Sequence, residues 1–282
     1  MPVLEVEGLS KTYYSDGRGT TAIRRLDFAV EEHEFVSIVG PSGCGKTTLL
    51  KCVSGLLTPS GGRTMIRGAE VTSPPPEMAV VFQDYSRSLF PWLTVRKNVA
   101  LPLRRRSISG KDRVVRESLE AVGLGKVPDH YPWQLSGGMQ QRVAIARALA
   151  YQPKVLLMDE PFASVDAQTR AELEDLVLSV RSEFGVTIVF VTHDIDEAVY
   201  MSDRVLVLSP PPCEIQETLV IDLPLPRDQI TTKAEPAFAS YRARVYRAIQ
   251  EGPALQAQRR AIDGSTTGDG APGQPELSPT SR

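Results

Sequence analysis

The hydrophobic positions of this chain change their period several times along its length. Short apolar runs recur at residues 35–39, 154–158 and 186–191, the first of them rich in β-branched residues, and such runs are typical of strands buried on both faces. Helix-like spacing separates the later runs, as at Leu173, Val177 and Val180. Buried strands that alternate with helices predict an α/β fold, in which a parallel sheet is covered on both sides.

The two ends of the chain carry different patterns. Residues 3–9 alternate hydrophobic and polar side chains, which predicts a half-exposed strand, and residues 26–30 predict another. The spacing is mostly helical over residues 88–150, as Val115 and Leu119 illustrate. Near the C-terminus, one amphipathic helix is predicted to end at Gly252 and Pro253.

These patterns divide the chain into three predicted parts. Residues 1–222 form the main domain, with a helical subdomain at about residues 88–150. Residues 223–252 form a C-terminal extension with one helix. Residues 253–282 are dominated by Gly, Pro, Ser, Thr, Ala and Gln and have little to bury, so we expect a disordered tail.

Composition and charge disfavour several classes of protein. Lys plus Arg is 32 and Asp plus Glu is 34, and the net charge of −2 argues against a nucleic-acid protein that binds by bulk positive charge. No apolar run approaches the roughly 18–20 residues that span a bilayer, and the first residues lack a signal-peptide layout. Cys44, Cys52 and Cys213 have no CxxC spacing, which favours buried thiols in a reduced cytosol. We therefore expect a soluble protein that reaches a membrane only through a partner.

A glycine-rich segment connects the first buried strand to a helix that begins near Lys46. The segment reads Gly40-Pro41-Ser42-Gly43-Cys44-Gly45-Lys46-Thr47-Thr48. Glycines let the backbone surround an anion closely, and the helix N-terminus adds partial positive charge. In this G-x-x-x-x-G-K-[ST] pattern, Lys46 reaches the β- and γ-phosphates and the Thr47 hydroxyl binds Mg²⁺. The segment predicts a nucleotide-phosphate site.

Two acidic residues follow a later buried strand. Asp159 and Glu160 stand at the carboxyl end of that strand, where open α/β sheets bind their ligands. Asp159 is a candidate ligand of Mg²⁺, directly or through water. Glu160 is a candidate base that orients and deprotonates an attacking water. Together with the glycine-rich segment, the pair predicts a P-loop ATPase.

A second possible anion site lies far from the first in sequence. In Leu135-Ser136-Gly137-Gly138-Met139-Gln140-Gln141-Arg142, a polar loop precedes a long helix, and Ser136 occupies the N-cap region. Taken alone, an ordinary helix cap explains this segment equally well. The segment resembles the signature loop of ATP-binding-cassette (ABC) ATPases, which bind ATP between two subunits.

The ABC resemblance extends from residue 3 to about residue 222 and implies a specific architecture. The implied fold is a P-loop NTPase (RecA-like) core with an antiparallel β subdomain and an inserted α-helical subdomain. ATP with Mg²⁺ then lies between the phosphate loop of one subunit and Ser136, Gly137 and Gly138 of a second copy. Because the chain shows no internal repeat, that second copy must be another chain.

Four further residues match positions with roles in the ABC family. Gln83 matches the Q-loop glutamine, which touches Mg²⁺ and links ATP to the transporter contact. Asp166, in Ser164-Val165-Asp166, matches the D-loop that crosses to the other subunit, and His193 matches the switch histidine at the γ-phosphate. Tyr13 resembles the aromatic residue that stacks on adenine. Tyr14 stays a competing choice, since only one of the two neighbours on a strand can face the base.

Two segments resemble importers of the nitrate/sulfonate/taurine group. They are residues 83–92, which include the aromatic residues Phe90 and Trp92, and residues 223–227. The resemblance implies a peripheral subunit on the cytoplasmic face of the cell membrane that powers import of a small anionic solute. Its implied partners are transmembrane permease subunits and, indirectly, a solute-binding protein, and no nucleic acid is expected. An exporter ATPase and a soluble non-transport ABC ATPase stay open as alternatives.

The sequence departs from the family pattern at two positions. His33 stands where the family often has Gly, in a turn that needs positive φ, so we expect that this turn differs. Val165 stands where the D-loop commonly has Leu, a change of volume that we expect to be tolerated.

Overall fold

The computed structural model of the protein describes residues 2–15, 17–84, 88–105 and 109–265, without the side chains of residues 105 and 253–265. Its strands are β1 (Pro2–Ser15), β2 (Arg18–Glu31), β3 (Phe35–Val39), β4 (Gly61–Ile66), β5 (Ala69–Glu70), β6 (Met78–Val81), β7 (Val155–Asp159), β8 (Thr187–Thr192), β9 (Arg204–Leu208) and β10 (Ile215–Val220). Its helices are α1 (Lys46–Val53), α2 (Val95–Ala100), α3 (Lys111–Ala121), α4 (Gly137–Ala150), α5 (Ala167–Phe184), α6 (Ile195–Met201), α7 (Thr231–Ala234) and α8 (Pro236–Ser265). Short 3₁₀ turns span Leu101–Arg105 and Pro132–Gln134.

The central sheet has six strands in the order β10-β9-β3-β8-β7-β6. Neighbours from β9 to β6 are parallel, and β10 adds an antiparallel edge strand. Every residue of β3, β7 and β8 is buried, as the apolar runs predicted. Because parallel strands end at the same edge, the loops after β3, β6, β7 and β8 meet there.

A second, antiparallel sheet has the order β2-β1-β4-β5. Together with α1, it packs on one face of the central sheet to form one hydrophobic core. The three cysteines are free and buried in this core, as predicted. The fold therefore combines an α/β core with an antiparallel β unit, as the ABC resemblance implied.

The opposite face of the central sheet carries the other hydrophobic core. Helices α2, α3 and α4 pack on one another, and their buried residues, such as Val99, Val115 and Ile145, join the core under the sheet. The predicted helical spacing of Val115 and Leu119 is confirmed, because both side chains are buried on α3. The signature loop lies at the start of α4 and therefore belongs to this helical unit. The phosphate loop, in contrast, follows β3 at the edge of the central sheet.

The C-terminal helix is longer than the sequence predicted. Helix α8 continues through Gly252 and Pro253 to Ser265, so the predicted helix end was wrong. The residues after Pro253 include Ala, Leu, Gln and Arg, which are strong helix formers and outweigh one Gly–Pro pair. The first part of the predicted tail, residues 253–265, belongs to this helix, and residues 266–282 lie outside the described residues.

Candidate functional site

The glycine-rich loop connects β3 directly to α1. Gly43 and Gly45 have φ of 75° and 113°, conformations that L side chains rarely adopt. A Cβ on Gly40 would lie 3.1 Å from the Leu208 carbonyl oxygen, whereas a Cβ on Gly43 would meet nothing within 4 Å. No side chain caps the N-terminus of α1. The N-terminus of the helix, with its partial positive charge, therefore lies beside an open part of the loop, as an anion site requires.

Lys46 points back along this loop and is only 6% exposed. Its ammonium donates hydrogen bonds to the carbonyl oxygens of Gly40, at 2.9 Å, and Pro41, at 3.2 Å. The Nζ atom also lies 3.7 Å from Oε1 of Glu160. An ammonium has three protons, and Lys46 has three oxygen neighbours for them, namely two loop carbonyls and one carboxylate. The lysine is thereby held beside the candidate base.

Asp159 is the last residue of β7 and is buried, at 4% exposure. Burial raises the pKa of its carboxyl group, and a hydrogen bond with Thr47 opposes that rise. Its Oδ1 atom has no hydrogen-bond partner among the described residues. A buried carboxylate oxygen without a partner, next to a threonine hydroxyl, offers hard oxygen ligands of the kind that Mg²⁺ prefers.

The described residues contain no cluster of three or more His, Cys, Asp or Glu side chains that could hold a metal ion alone. Mg²⁺ usually takes one or two protein ligands and completes its shell with phosphates and water, so it does not need such a cluster. Thr47 and Asp159 are therefore suitable ligands for the Mg²⁺ ion that the sequence predicted.

Glu160 and His193 are brought into contact, although 33 residues separate them. The Nδ1 atom of His193 lies 2.9 Å from Oε2 of Glu160. Glu160 has a φ of 44°, a strained conformation for a residue other than glycine, and its backbone N–H donates to the carbonyl oxygen of Val191. Strain of this kind persists where the surrounding structure enforces it and is concentrated at functional sites. His193 is 56% exposed, so the pair faces outward from the sheet edge.

Tyr13 lies over the start of α1. Its hydroxyl is 3.2 Å from Oγ1 of Thr48, and its ring is 44% exposed. Tyr14 is 80% exposed and packs towards Gly19. The pleat of β1 thus places Tyr13 on the side of the phosphate loop, which favours it over Tyr14 as the adenine contact.

The signature loop and the D-loop (residues 164–166) both end in helix N-caps. Ser136 Oγ accepts a hydrogen bond from the backbone N–H of Met139 at 3.3 Å, and Asp166 accepts one from Thr169 at 3.0 Å. Ser136 and Asp166 are exposed. Gly138 is buried, and a Cβ there would lie 2.4 Å from Cγ2 of Thr169. The two loops are therefore packed against each other through their helices.

Gln83 follows β6 by two residues and is exposed. Because Val81 of β6 pairs with Met158 of β7, Gln83 stands at the same sheet edge as Asp159. Its contact with Mg²⁺ stays a prediction.

Sequence reasoning missed a polar cluster that supports His193. Asp194 caps α6 by accepting N–H groups of Asp196, at 2.8 Å, and Glu197, at 3.2 Å. The Thr192 hydroxyl donates to Oε2 of Glu197 at 2.6 Å. Burial raises the pKa of Glu197 to about 7. The available signal was an acidic residue two positions after a buried strand, followed by an acidic first helical turn.

The two departures from the family pattern leave the local backbone intact. His33 keeps a positive φ of 64°, so the expectation of a different turn was wrong. The turn is held because Nδ1 of His33 lies 2.6 Å from the Gly185 carbonyl oxygen and the His33 N–H donates to Thr187 Oγ1. Val165 is partly buried and packs against the larger core.

Comparison with known proteins decides the family. A model described as "ABC transporter" matches residues 23–163, which include the phosphate loop, the signature loop, Asp159 and Glu160. An uncharacterized ABC transporter ATP-binding protein of Methanocaldococcus jannaschii is 44% identical over 88% of this chain and 91% of its own length. The chain belongs to the ABC transporter family. It is an ATP-binding subunit and an ATPase.

Two further relatives of this ABC ATPase carry more specific descriptions. The bicarbonate transport ATP-binding protein CmpC of Synechococcus elongatus is 44% identical over 85% of this chain. The nitrate import ATP-binding protein NrtC of a Synechocystis strain is 42% identical over 86% of it. The chain spans only 37% of the length of each of these two proteins.

Solved ABC cassettes share the fold. A dimeric, post-hydrolysis state of the cassette MJ0796, bound to ADP and Pi, has a TM-score of 0.67 and 34% identity over 77% of this chain and 98% of that one. The protein cbiO1 of Clostridium perfringens, part of the ABC transporter complex cbiONQ, has a TM-score of 0.69 and 30% identity over 77% of this chain and 88% of that one. Among the described residues of the ABC ATPase, no helix is long and apolar enough to cross a membrane.

Proposed function

We propose that this ABC ATPase powers import of a small anionic solute, as one of two copies bound to transmembrane permease subunits at the cytoplasmic face of the cell membrane. A solute-binding protein would deliver the solute. The cluster of Lys46, Glu160 and His193 beside the buried Asp159 carries the ATP hydrolysis, and the descriptions of the relatives carry the import. The descriptions of CmpC and NrtC support an anionic solute of the size of nitrate or bicarbonate, and sulfonates, including the zwitterion taurine, share an oxyanion group with them.

The residues of the site divide the chemistry between them. The backbone of the phosphate loop and Lys46 hold the triphosphate, and Tyr13 stacks on adenine. Glu160 accepts a proton from the attacking water, while His193, held by Glu160, contacts the γ-phosphate. Thr47 and Asp159, with Gln83, would hold Mg²⁺, which neutralises charge on the phosphates. Charge stabilisation by groups that are already in place lowers the barrier to hydrolysis.

The positions of Ser136 and Asp166 support the proposal that a second copy of the chain completes each ATP site. Each caps the N-terminus of a helix and is exposed. The N-terminus of α4 is a second possible anion site. The chain does not need this site to bind the nucleotide at its own phosphate loop. In the proposed dimer, Ser136, Gly137 and Gly138 of one copy contact the ATP held by Lys46 of the other, and hydrolysis removes the phosphate that joins them.

Two aromatic side chains beside the Q-loop support the permease contact. Trp92 is 70% exposed and Phe90 is 36% exposed, and their rings form an edge-on pair with centroids 5.3 Å apart. Asn98 fixes the loop, because it bonds the backbone N–H and carbonyl oxygen of Phe90. Exposed aromatic residues on a fixed loop are suited to a protein interface.

The substitution Glu160→Gln tests the ATPase assignment and the dimer together. We expect ATP binding to persist and turnover to fall by at least about 10³-fold, since the amide cannot accept the proton of the attacking water. The variant should accumulate as an ATP-bound dimer in size-exclusion chromatography. Glu120→Gln, at an exposed position on α3, is the matched control and should keep normal turnover. Normal hydrolysis by the Glu160 variant would overturn the assignment.

Import is tested with the complete transporter. Affinity purification of the tagged chain from cells in which it is expressed with its genomic neighbours should recover permease subunits. In vesicles that contain this complex, a binding protein loaded with an anionic solute should stimulate ATP hydrolysis. A complex that responds only to solute on the ATPase side would support an exporter. Recovery without any membrane subunit would support a soluble ABC ATPase.

A further inference from the structure

The first turn of α5 is a junction between three functional segments. Asp166 of the D-loop caps this turn through the N–H and hydroxyl groups of Thr169. Thr169 fills the space beside Gly138 of the signature helix. One residue further, Arg170 turns towards the switch loop (residues 192–194), which carries His193.

The guanidinium group of Arg170 contacts the D-loop on one side and the residues around the switch loop on the other. Its NH1 atom donates to Oδ2 of Asp194 at 3.1 Å, and its Nε atom lies 3.6 Å from Oε1 of Glu197. Its NH2 atom donates to the carbonyl oxygen of Val165 in the D-loop at 3.5 Å. The side chain is 31% exposed, and its Nε atom is buried. These contacts use the fork geometry of arginine, which a lysine ammonium cannot reproduce.

The acidic partners of Arg170 fix the backbone on the C-terminal side of His193. Asp194 is the adjacent residue and caps α6, and its own N–H donates to Thr192 Oγ1 at 3.0 Å. The Thr192 hydroxyl in turn donates to Glu197. His193 therefore projects from a loop that is tied on both sides to one acidic cluster, and Arg170 is the cation that neutralises this cluster. Two other cations in this region have different partners: Arg242 pairs with Asp196, and Lys233 pairs with Glu174.

We propose that Arg170 is a positioning residue that couples the D-loop to His193, so that seating of the D-loop on the second copy aligns the histidine for hydrolysis. The proposal rests on the proposed dimer. When the D-loop backbone at Val165 moves against the partner, the guanidinium transmits the movement to Asp194 and hence to His193. Arg170 itself touches neither ATP nor the reacting atoms, so nucleotide binding does not depend on it.

The coupling is tested by the kinetics of Arg170→Ala and Arg170→Lys. We expect kcat for ATP to fall by about 10- to 100-fold in both variants, because a small misplacement of a catalytic group has effects of that size. The KM for ATP should change less than about two-fold. Arg181→Lys is the matched control, since Arg181 lies on the same helix and pairs with Asp203 but contacts neither loop. The control can lower the melting temperature, and it should leave kcat unchanged.

A double-substitution cycle identifies the route of the coupling. Asp194→Asn keeps an N-cap for α6 but removes the charge that Arg170 contacts. If Arg170 acts through Asp194, the double variant Arg170→Lys with Asp194→Asn should be no slower than the slower single variant. Multiplicative losses would show that the two residues act independently and would overturn the proposal.

Two outcomes separate this inference from the proposed function. If the Arg170→Lys variant folds and has wild-type kcat, while Glu160→Gln forms an ATP-bound dimer under the same conditions, the coupling by Arg170 is overturned and the proposed function is not. Absence of that dimer overturns the proposed dimer as well. If Arg170→Ala does not fold, Arg170→Lys and Asp194→Asn still decide the question, because Arg170→Lys keeps a long cationic side chain and Asp194→Asn keeps a polar side chain of the same size.

Discussion

At the scale of single residues, the site is defined by charged side chains that are buried away from solvent. Lys46 and Asp159 are almost fully buried, and Glu160 has a strained backbone. Burying a charge is costly unless it is paired, so such groups persist where a ligand completes them. Lys46 has two carbonyl acceptors and a nearby carboxylate, whereas Asp159 keeps one oxygen without a hydrogen-bond partner among the described residues. Asp159 is therefore the residue whose charge most needs a cation.

The substitution Asp159→Asn should have opposite effects on stability and on ligand binding. The raised pKa of Asp159 means that its ionised form destabilises the folded state at pH values above that pKa. Without nucleotide at pH 8, the variant should therefore melt at the same temperature as the wild type or higher. With ATP and Mg²⁺, its affinity should fall by about 10- to 100-fold, since a metal ligand is lost.

Thermal shift measured with ATP in the presence of Mg²⁺ or of EDTA checks this prediction. In EDTA, the variant and the wild type should bind ATP similarly. Asp129→Asn, at an exposed position, is the control and should behave as wild type in both conditions. Unchanged Mg²⁺ dependence in the Asp159 variant would contradict the role of Asp159 as a metal ligand.

At the scale of elements, the N-termini of α1, α4, α5 and α6 carry the functional loops. Three of these four helices have a side-chain N-cap, namely Ser136, Asp166 and Asp194, and α1 has none. The uncapped helix is the one that follows the phosphate loop. The relative placement of α4 and α5 depends on Gly138, where a side chain would overlap Thr169.

The substitution Gly138→Ala should destabilise the protein by about 1–3 kcal/mol, because an added methyl group overpacks the contact with Thr169. The same substitution in a Thr169→Ser background should be nearly neutral. Serine lacks the Cγ2 atom and keeps the hydroxyl that bonds Asp166, and alanine is the better helix former by about 1 kcal/mol. Urea unfolding of the four proteins measures the difference. An equal penalty in both backgrounds would show that the Thr169 methyl group is not the cause.

At the scale of the whole molecule, the C-terminal extension is part of the folded body. Helix α8 packs on α6 and on strands β9 and β10, and it buries Phe238 and Val245 completely or nearly so. Arg242 of α8 also pairs with Asp196 of α6 at 2.7 Å. The extension thus rests on the helix that follows His193.

Deleting residues 236–282 should lower the free energy of unfolding by about 3–6 kcal/mol, since two large apolar side chains lose their burial. Deleting only residues 253–282 should change it less, because that protein keeps Phe238 and Val245. Denaturant unfolding of the two truncated proteins and the full chain makes the comparison. Similar losses in both truncated proteins would mean that the stabilising contacts lie beyond Gly252.

Several features of this protein follow from short-range patterns in its sequence. Apolar runs such as residues 35–39 predict fully buried strands, because a strand covered on both faces needs no polar positions. The phosphate loop is predictable because its glycines, Lys46 and Thr47 are contiguous, and its backbone conformation depends mainly on those residues. The ordered motifs, taken together, also identified the ABC family before any contact was known.

Other features depend on residues that are distant in sequence and meet only in the folded chain. Three contacts each require a specific packing of separate elements: Glu160 with His193, Tyr13 with Thr48, and Arg170 with two loops. Local patterns report the conformations that a segment prefers, whereas burial, ion pairing and strain arise from neighbours that the chain brings together only when it folds.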